Sequence, residues 1–559
     1  MSDHGQGTGS LVPTRLQLIQ TLTDSVVSRL TADECRDSSS VEASLVHEAN
    51  AAIQLANTKL ERGMKMRAVT DLLPVQIAQA MAKAYPIVRI AGAGMSVDED
   101  QDILALYRED GPHRGTYVMS EIEFRKIIRK YKYSITSKEV DETMAALQEL
   151  VPRVVPCRQP NLIAVNNGIF DYDMKQLLPF SSEYVFLSKS RVNYNPNAKN
   201  VVIHNDEDGT DWDVESWMNT LSDDPEVVDL LWQLLGATIR PHVSWNKSAW
   251  FYSESGNNGK GTLCELMRQL CGEGSYASIS LSDMSKDFML ESLTRATAII
   301  VDENDVGTYI DKAANLKAII TGDTILINRK YKTAIPYQFH GFMVQCLNEM
   351  PRIRDKSDSF FRRQLFIPFT KCFTGKERKY IKDDYLHRQD VLEYVLYRVL
   401  NMNYYNLSTP KVCEQALNEY KEFVDPVRAF AKDIFPKLVW DFVPYKFLYD
   451  LFVAWYAENN RTERYASSLR RFLKDLRNVL PELQLGWEDA AQPQRMGSYL
   501  TSPEPLIREY NLTKWMDMRF QGNPDPYLVC KPRILNNDLS RGFLRIGAAV
   551  KGDDDEETT

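Results

Sequence analysis

The sequence predicts an α/β protein whose central part is an open parallel sheet, with a mixed α/β region before it and a helix-rich region after it. Three observations carry this expectation. From residue 248 to about 401, apolar strand-like runs alternate with helical patterns, as in a sheet built with crossover helices. An aromatic strand beginning at residue 249 passes through a Gly/Asn/Ser loop directly into a helix. A second apolar strand, within residues 296–301, ends in two adjacent carboxylates, Asp302 and Glu303.

At 559 residues the chain exceeds what one core accommodates, so several domains are expected. No apolar run is long enough to span a bilayer, and residues 1–13 lack the basic-then-apolar pattern of a secretion signal. The formal net charge of −9 argues against a uniformly basic nucleic-acid coat, yet allows basic residues to be confined to a channel or one small face. The eight cysteines are scattered with no C-x-x-C pair, so reduced thiols and no zinc site are expected.

In chain order, residues 1–90 are helical and polar, with Ser38, Ser39 and Ser40 marking a loop between two helical segments. Residues 91–243 form a separate α/β region. Within it, 121–131 and 140–150 have helical spacing, and L-I-A-V-N-N-G-I-F-D at 162–171 reads as two short strands about an Asn-Asn-Gly turn. Residues 227–239 read as a buried helix ahead of the sheet-building region, which spans 244–405. A helical linker is expected at 406–440, a further domain at 441–550, and a solvated acidic tail at 551–559.

Residues 249–262, A-W-F-Y-S-E-S-G-N-N-G-K-G-T, have the layout of a phosphate-binding loop. The candidate cradle is Gly256, Asn257, Asn258, Gly259, Lys260, Gly261 and Thr262. Gly256 and Gly259 permit dihedrals that turn backbone N–H groups inward on phosphate oxygens, and the helix N-terminus adds the positive end of its dipole. Lys260 is placed to reach the β- and γ-phosphates of ATP. The loop departs from G-x-x-x-x-G-K-[ST] twice. Glu254 holds the first glycine position, and Gly261 the hydroxyl position, with Thr262 one step later. Which hydroxyl meets Mg²⁺ is thereby left open, Thr262 being the candidate.

Asp302 and Glu303 stand at the carboxyl end of their strand, where open α/β sheets place ligands. Phosphoryl transfer needs one group to hold the metal and another to orient the attacking water, roles expected for Asp302 and Glu303. A third strand at 342–346 leads into Asn348, able to bond both that water and the γ-phosphate. In D-K-S-D-S-F-F-R-R-Q-L-F-I-P-F at 355–369, Arg362 and Arg363 precede an apolar strand. In a ring, either could reach a neighbour's ATP. Residues 324–327 and 333–339 read as a β-hairpin around a basic tip of Asn328, Arg329, Lys330, Tyr331 and Lys332. Its cations would meet DNA phosphates, and Tyr331 a sugar or base.

With these motifs in this order, the chain resembles the superfamily 3 helicases of the AAA+ class, in the phage and poxvirus-type primase–helicase branch. The resemblance implies an AAA+ core that hydrolyses ATP with Mg²⁺ between subunits of a ring, a hexamer. In that ring Lys260, Asp302, Glu303 and Asn348 form the nucleotide site, Arg362 or Arg363 acts in trans, and Lys330 and Lys332 belong to a hairpin lining a central pore. It implies a replicative DNA helicase of a phage or mobile genetic element, in the cytoplasm of a bacterial host, acting on single-stranded and forked DNA with host replication proteins as further partners. Only about 90 residues precede the resembling part, without a D-x-D motif and partner histidine, so neither a primase domain nor primer synthesis is expected. The C-terminal region also resembles that branch. An amphipathic helix at 447–459 precedes a second helix at 466–480 that carries Arg470, Arg471, Lys474 and Arg477 on roughly one face. A winged helix binding origin duplex DNA would explain that pattern.

Two other classes compete. A small-molecule P-loop kinase accounts for G-K-G-T but not for the carboxylate strand, the basic hairpin and the Arg-Arg pair. An origin-binding or assembly protein with a degenerate ATPase accounts for the basic helix but not for the intact Lys260, Asp302 and Glu303.

Overall fold

The computed structural model describes residues 13–91, 99, 102–286, 288–330, 332–459, 468–500, 502–516 and 538–547. The expected acidic tail at 551–559 lies outside them. The chain divides into two compact units, residues 1–355 with 362–414, and residues 356–361 with 415–559. Among the described residues, no helix is long and apolar enough to cross a membrane.

The first unit opens with α1 (Arg15–Arg29), α2 (Ser38–Asn57) and α3 (Pro74–Ala84). The serines at 38–40 are not a loop but the first turn of α2. Asp37 caps it, accepting from Ser39 N at 3.2 Å and from Ser40 Oγ at 2.6 Å. A capping carboxylate satisfies N–H groups that a helix start leaves unpaired, so polar residues at this place begin the helix instead of interrupting it. Strands β1 (Ile87–Ile90) and β2 (Ile103–Tyr107) pair antiparallel. Helices α4 (Glu121–Tyr131) and α5 (Ser137–Leu150) share a core with α3 through Ile77, Met81, Phe124, Ile128 and Leu147. Strands β3 (Leu162–Val165) and β4 (Gly168–Asp171) form the hairpin about Asn166 and Asn167, with Val165 opposite Gly168.

Helices α6 (Val214–Thr220) and α7 (Pro225–Thr238) lead into the central sheet, α7 being buried along almost its whole length. The sheet region then runs β5 (Ser248–Tyr252), α8 (Lys260–Cys271), β6 (Tyr276–Ala277), β7 (Ala298–Val301), α9 (Ala314–Thr321), a hairpin of β8 (Thr324–Arg329) and β9 (Lys332–Gln338), β10 (Phe342–Leu347) and β11 (Gln364–Pro368). Five parallel strands lie in the order β6–β7–β10–β5–β11. Both faces of the inner strands are buried, as at Ala249, Trp250, Phe251, Ile299, Ile300 and Val344. That is why these strands read as unbroken apolar runs and not as alternation. Helices α10 (Lys379–Asp383) and α11 (Gln389–Leu400) follow the sheet.

In the second unit, α12 (Pro426–Ile434), α13 (Tyr445–Asn459) and α14 (Leu469–Leu483) pack through Phe430, Phe452 and Phe472, the last two stacked at 4.7 Å. An antiparallel sheet of β12 (Phe442–Pro444), β13 (Trp487–Asp489) and β14 (Gly542–Arg545) has the order β12–β14–β13. Helix α12, expected in a linker at 406–440, is part of this core. Its Val427, Phe430, Ala431 and Ile434 make one apolar stripe, and such a stripe needs a packing partner. The segment 356–361 also belongs to this unit, with Phe361 edge-on to Tyr420 at 6.0 Å and Lys356 3.2 Å from Asp425.

Candidate nucleotide site and basic elements

Parallel register sets the carboxyl ends of β5 and β10 level, Tyr252 opposite Leu347. Ser253 and Asn348 are therefore neighbours, and Ser253 N donates to Leu347 O at 3.1 Å. Left-handed backbone occurs at Asn257 (φ 53°) and Gly259 (φ 88°), whereas Gly256, one of the two expected positions, does not adopt it. Asparagine tolerates that region better than most residues with a side chain. At Gly259 the backbone angle favours glycine, and a Cβ would also stand 2.6 Å from Leu221 Cδ2, which would have to shift. Asn258 folds back into the loop, donating to Ser255 O at 2.5 Å and accepting from Lys260 N at 3.4 Å.

Lys260 opens α8 with its side chain 5% exposed, and its ammonium meets three oxygens. It donates to Asn348 Oδ1 at 2.8 Å, Leu347 O at 2.9 Å and Ser253 O at 3.2 Å. Burial pushes its pKa below the ordinary lysine value, and the surrounding oxygens compensate the desolvated charge. Two motifs far apart in sequence thus meet at one ammonium.

Asp302 follows β7 and stands exposed. Its carboxylate accepts from both arms of the Arg268 guanidinium, at 2.8 and 3.2 Å. That pairing holds the carboxyl below the usual carboxylate range, against the opposing effect of burial. Glu303 is exposed beside it. Asn304 is buried and anchors the carboxylate loop. It donates to Gln345 Oε1 at 2.9 Å and Cys346 O at 3.0 Å, and accepts from Leu281 N at 2.9 Å. The sequence reading did not single out Arg268 or Asn304. The available signals were a cation two turns past Lys260 on the same helix, and an asparagine directly after the carboxylate pair.

Arg362 and Arg363 are not brought to Lys260. Ser248 N donates to Arg363 O at 2.8 Å, which places the pair at the amino ends of β5 and β11. Lys260, Asp302 and Asn348 occupy the carboxyl edge of the same sheet. Thr262 lies in the first turn of the site helix, partly exposed.

The β8–β9 hairpin pairs Thr324 with Gln338 through to Arg329 with Lys332, with an irregularity between Ile327 and Arg329. Its tip is therefore tighter than expected, Arg329 and Lys332 being strand residues. Ile325 and Ile327 are buried, and Tyr337 Oη donates to Leu293 O at 3.1 Å, rooting the hairpin. Lys330 is exposed, while Tyr331 and the side chain of Lys332 lie outside the described residues.

In α14, Phe472, Leu473, Leu476, Val479 and Leu480 face the core, and Arg470, Arg471, Lys474 and Arg477 are exposed. Arg477 is tied locally, to Asp489 at 2.5 Å and Tyr445 Oη at 3.0 Å. Arg471 stands 3.9 Å from Asp475. Arg470 and Lys474 are exposed on this face, as is most of Arg471.

Comparison with known families matches the chain segment by segment. Residues 78–223 match a family described as D5 N terminal like, 251–363 a family of unknown function (DUF5906), and 424–511 a family described as Poxvirus D5 protein-like. Segments before and after the central sheet in sequence are thus D5-like, and the candidate site residues fall in the middle segment. Among solved structures, an apo structure of the NrS-1 C terminal region is similar at 14% identity, covering 85% of this chain and 100% of that chain, with a TM-score of 0.42. Its A form gives 13% identity with the same coverage and TM-score.

Proposed function

We propose that this chain is an ATP-driven replicative DNA helicase of a phage or mobile genetic element, working as a hexameric ring on single-stranded and forked DNA. The observation that carries the reading is the convergence of Lys260, Asn348 and the Arg268-held Asp302 at the carboxyl edge of one parallel sheet. This is where open α/β folds bind ligands, and it is reached from three separate motifs. The D5-like segments on either side support a role in DNA replication.

The loop 256–262 would cradle the phosphates, with Lys260 neutralising their charge. Asp302, an exposed carboxylate held in its ionised form, and Thr262, a hydroxyl in the helix that the loop opens, are hard oxygen donors of the kind that would suit Mg²⁺. When bound, that ion would withdraw charge from the phosphate oxygens. Glu303, exposed next to Asp302, would accept a proton from the attacking water while Asn348 orients it. Arg362 and Arg363, at the opposite edge of the sheet, would serve a neighbouring subunit's site. Lys330 and its hairpin would contact the strand in the pore, and the Arg470 and Lys474 face of α14 origin duplex.

The test is hydrolysis by purified protein with and without single-stranded DNA, alongside forked-duplex unwinding. Glu303→Gln should keep ATP binding and lose at least about a hundredfold in turnover, the usual contribution of a positioned base. Hydrolysis indifferent to DNA, or unchanged in Glu303→Gln, would defeat the reading.

A further inference from the structure

A cavity of about 610 Å³ lies against Gly259 and Thr262 of the phosphate loop. Small-molecule sites run about 300–1,000 Å³, so its size suits a ligand. One wall is α6, with Trp217 and Thr220; the other runs from Phe373 into α10, with Lys382. The loop itself holds the second wall: Phe373 N donates to Asn257 O at 2.7 Å, and Asn257 Nδ2 to Glu377 Oε1 at 2.9 Å. Lys382 projects back toward α8, its Nζ 3.9 Å from the place a Cβ would take on Gly261. That is ordinary contact distance, so Lys382 stands beside Gly261, the residue at the motif's hydroxyl position. Four carboxylates line the same cavity: Glu377 accepts from Asn257 Nδ2, Asp383 is exposed next to Lys382, and the other two are engaged locally. Asp213 caps α6 by accepting from Ser216 N, and Asp211 pairs with His204 at 2.7 Å.

We propose that this cavity seats the base and ribose of the nucleoside triphosphate, and that Lys382 acts in cis as a second cation on its phosphates. The inference rests on the nucleotide reading above and adds two things to it. The helix that ends the D5 N terminal-like segment, α6, becomes a wall of the nucleotide site. Lys260 gains a partner from outside the loop: one ammonium meets the phosphates from the sheet side, the other from α10. Trp217 and Phe373 supply the apolar surface that a planar base requires.

Isothermal titration calorimetry of the full chain separates the parts, using AMP-PNP and inorganic triphosphate, which lacks base and ribose. Lys382→Ala should weaken both ligands about tenfold, with Lys382→Arg retaining affinity. Thr220→Trp, filling the cavity from an exposed position, should weaken AMP-PNP about tenfold and leave triphosphate unchanged. Wild-type affinities in Lys382→Ala, or loss in Lys382→Arg equal to that in Lys382→Ala, would overturn the role of Lys382. Equal effects of Thr220→Trp on the two ligands, or none on either, would overturn the nucleoside seat. The underlying reading fails separately, if wild type binds neither ligand or Lys260→Ala binds them as wild type does.

Discussion

At the scale of single residues, the site is a set of charges held by particular partners. Arg268 keeps Asp302 ionised, so the carboxylate is retained to lower pH than an ordinary aspartate would allow. Activity that needs the ionised form is lost as pH falls through that lowered pKa. Arg268→Met removes the largest cause of the lowering and leaves burial, which raises the pKa. The acid limb of the pH–rate profile for ATP hydrolysis should therefore move to higher pH. An unmoved limb would show that Asp302 does not control it. Asn304 is structural. Asn304→Ala strands Leu281 N and Gln345 Oε1 in the interior, so urea unfolding should show a loss of about 1–3 kcal/mol. A loss well below this would mean that the carboxylate loop is anchored otherwise.

At the scale of elements, periodicity made most helices and strands readable, and local chemistry explains the exceptions. Residues 121–131 and the turn at Asn166 and Asn167 follow from patterns that a few neighbouring residues decide. The serines that open α2 and the helix α12 do not: one depended on the Asp37 cap, the other on a core assembled from residues later in the chain. The hairpin belongs to this scale too. Its root is packed and its tip cationic, so Lys330→Ala should leave the fold and basal hydrolysis intact. The same variant should weaken single-strand DNA binding in fluorescence anisotropy and reduce the salt dependence of binding by about one phosphate contact. Full unwinding by that variant would remove the hairpin from the mechanism.

At the scale of the whole molecule, the placement of Arg362 and Arg363 is decisive. They share a sheet with Lys260 but lie at its other edge, so a role for them at a nucleotide needs a second subunit. If one acts in trans, mixing Lys260→Ala protein with Arg362→Ala or Arg363→Ala protein should restore part of the hydrolysis that each variant lacks alone. Intact loops and intact arginines would then meet at some junctions. No recovery in either mixture, with rings seen by sedimentation, would exclude the arrangement. The sequence by itself determined the kinds of elements and the chemistry-bearing motifs, Lys260, Asp302, Glu303 and Asn348 among them, because motif and periodicity are properties of neighbouring residues. Only the tertiary structure decided that Arg268 holds Asp302, that Asn304 reaches Gln345, that Lys382 faces Gly261 and that the arginine pair stands apart. Those relations are set by strand register and packing between distant segments, which no local pattern encodes.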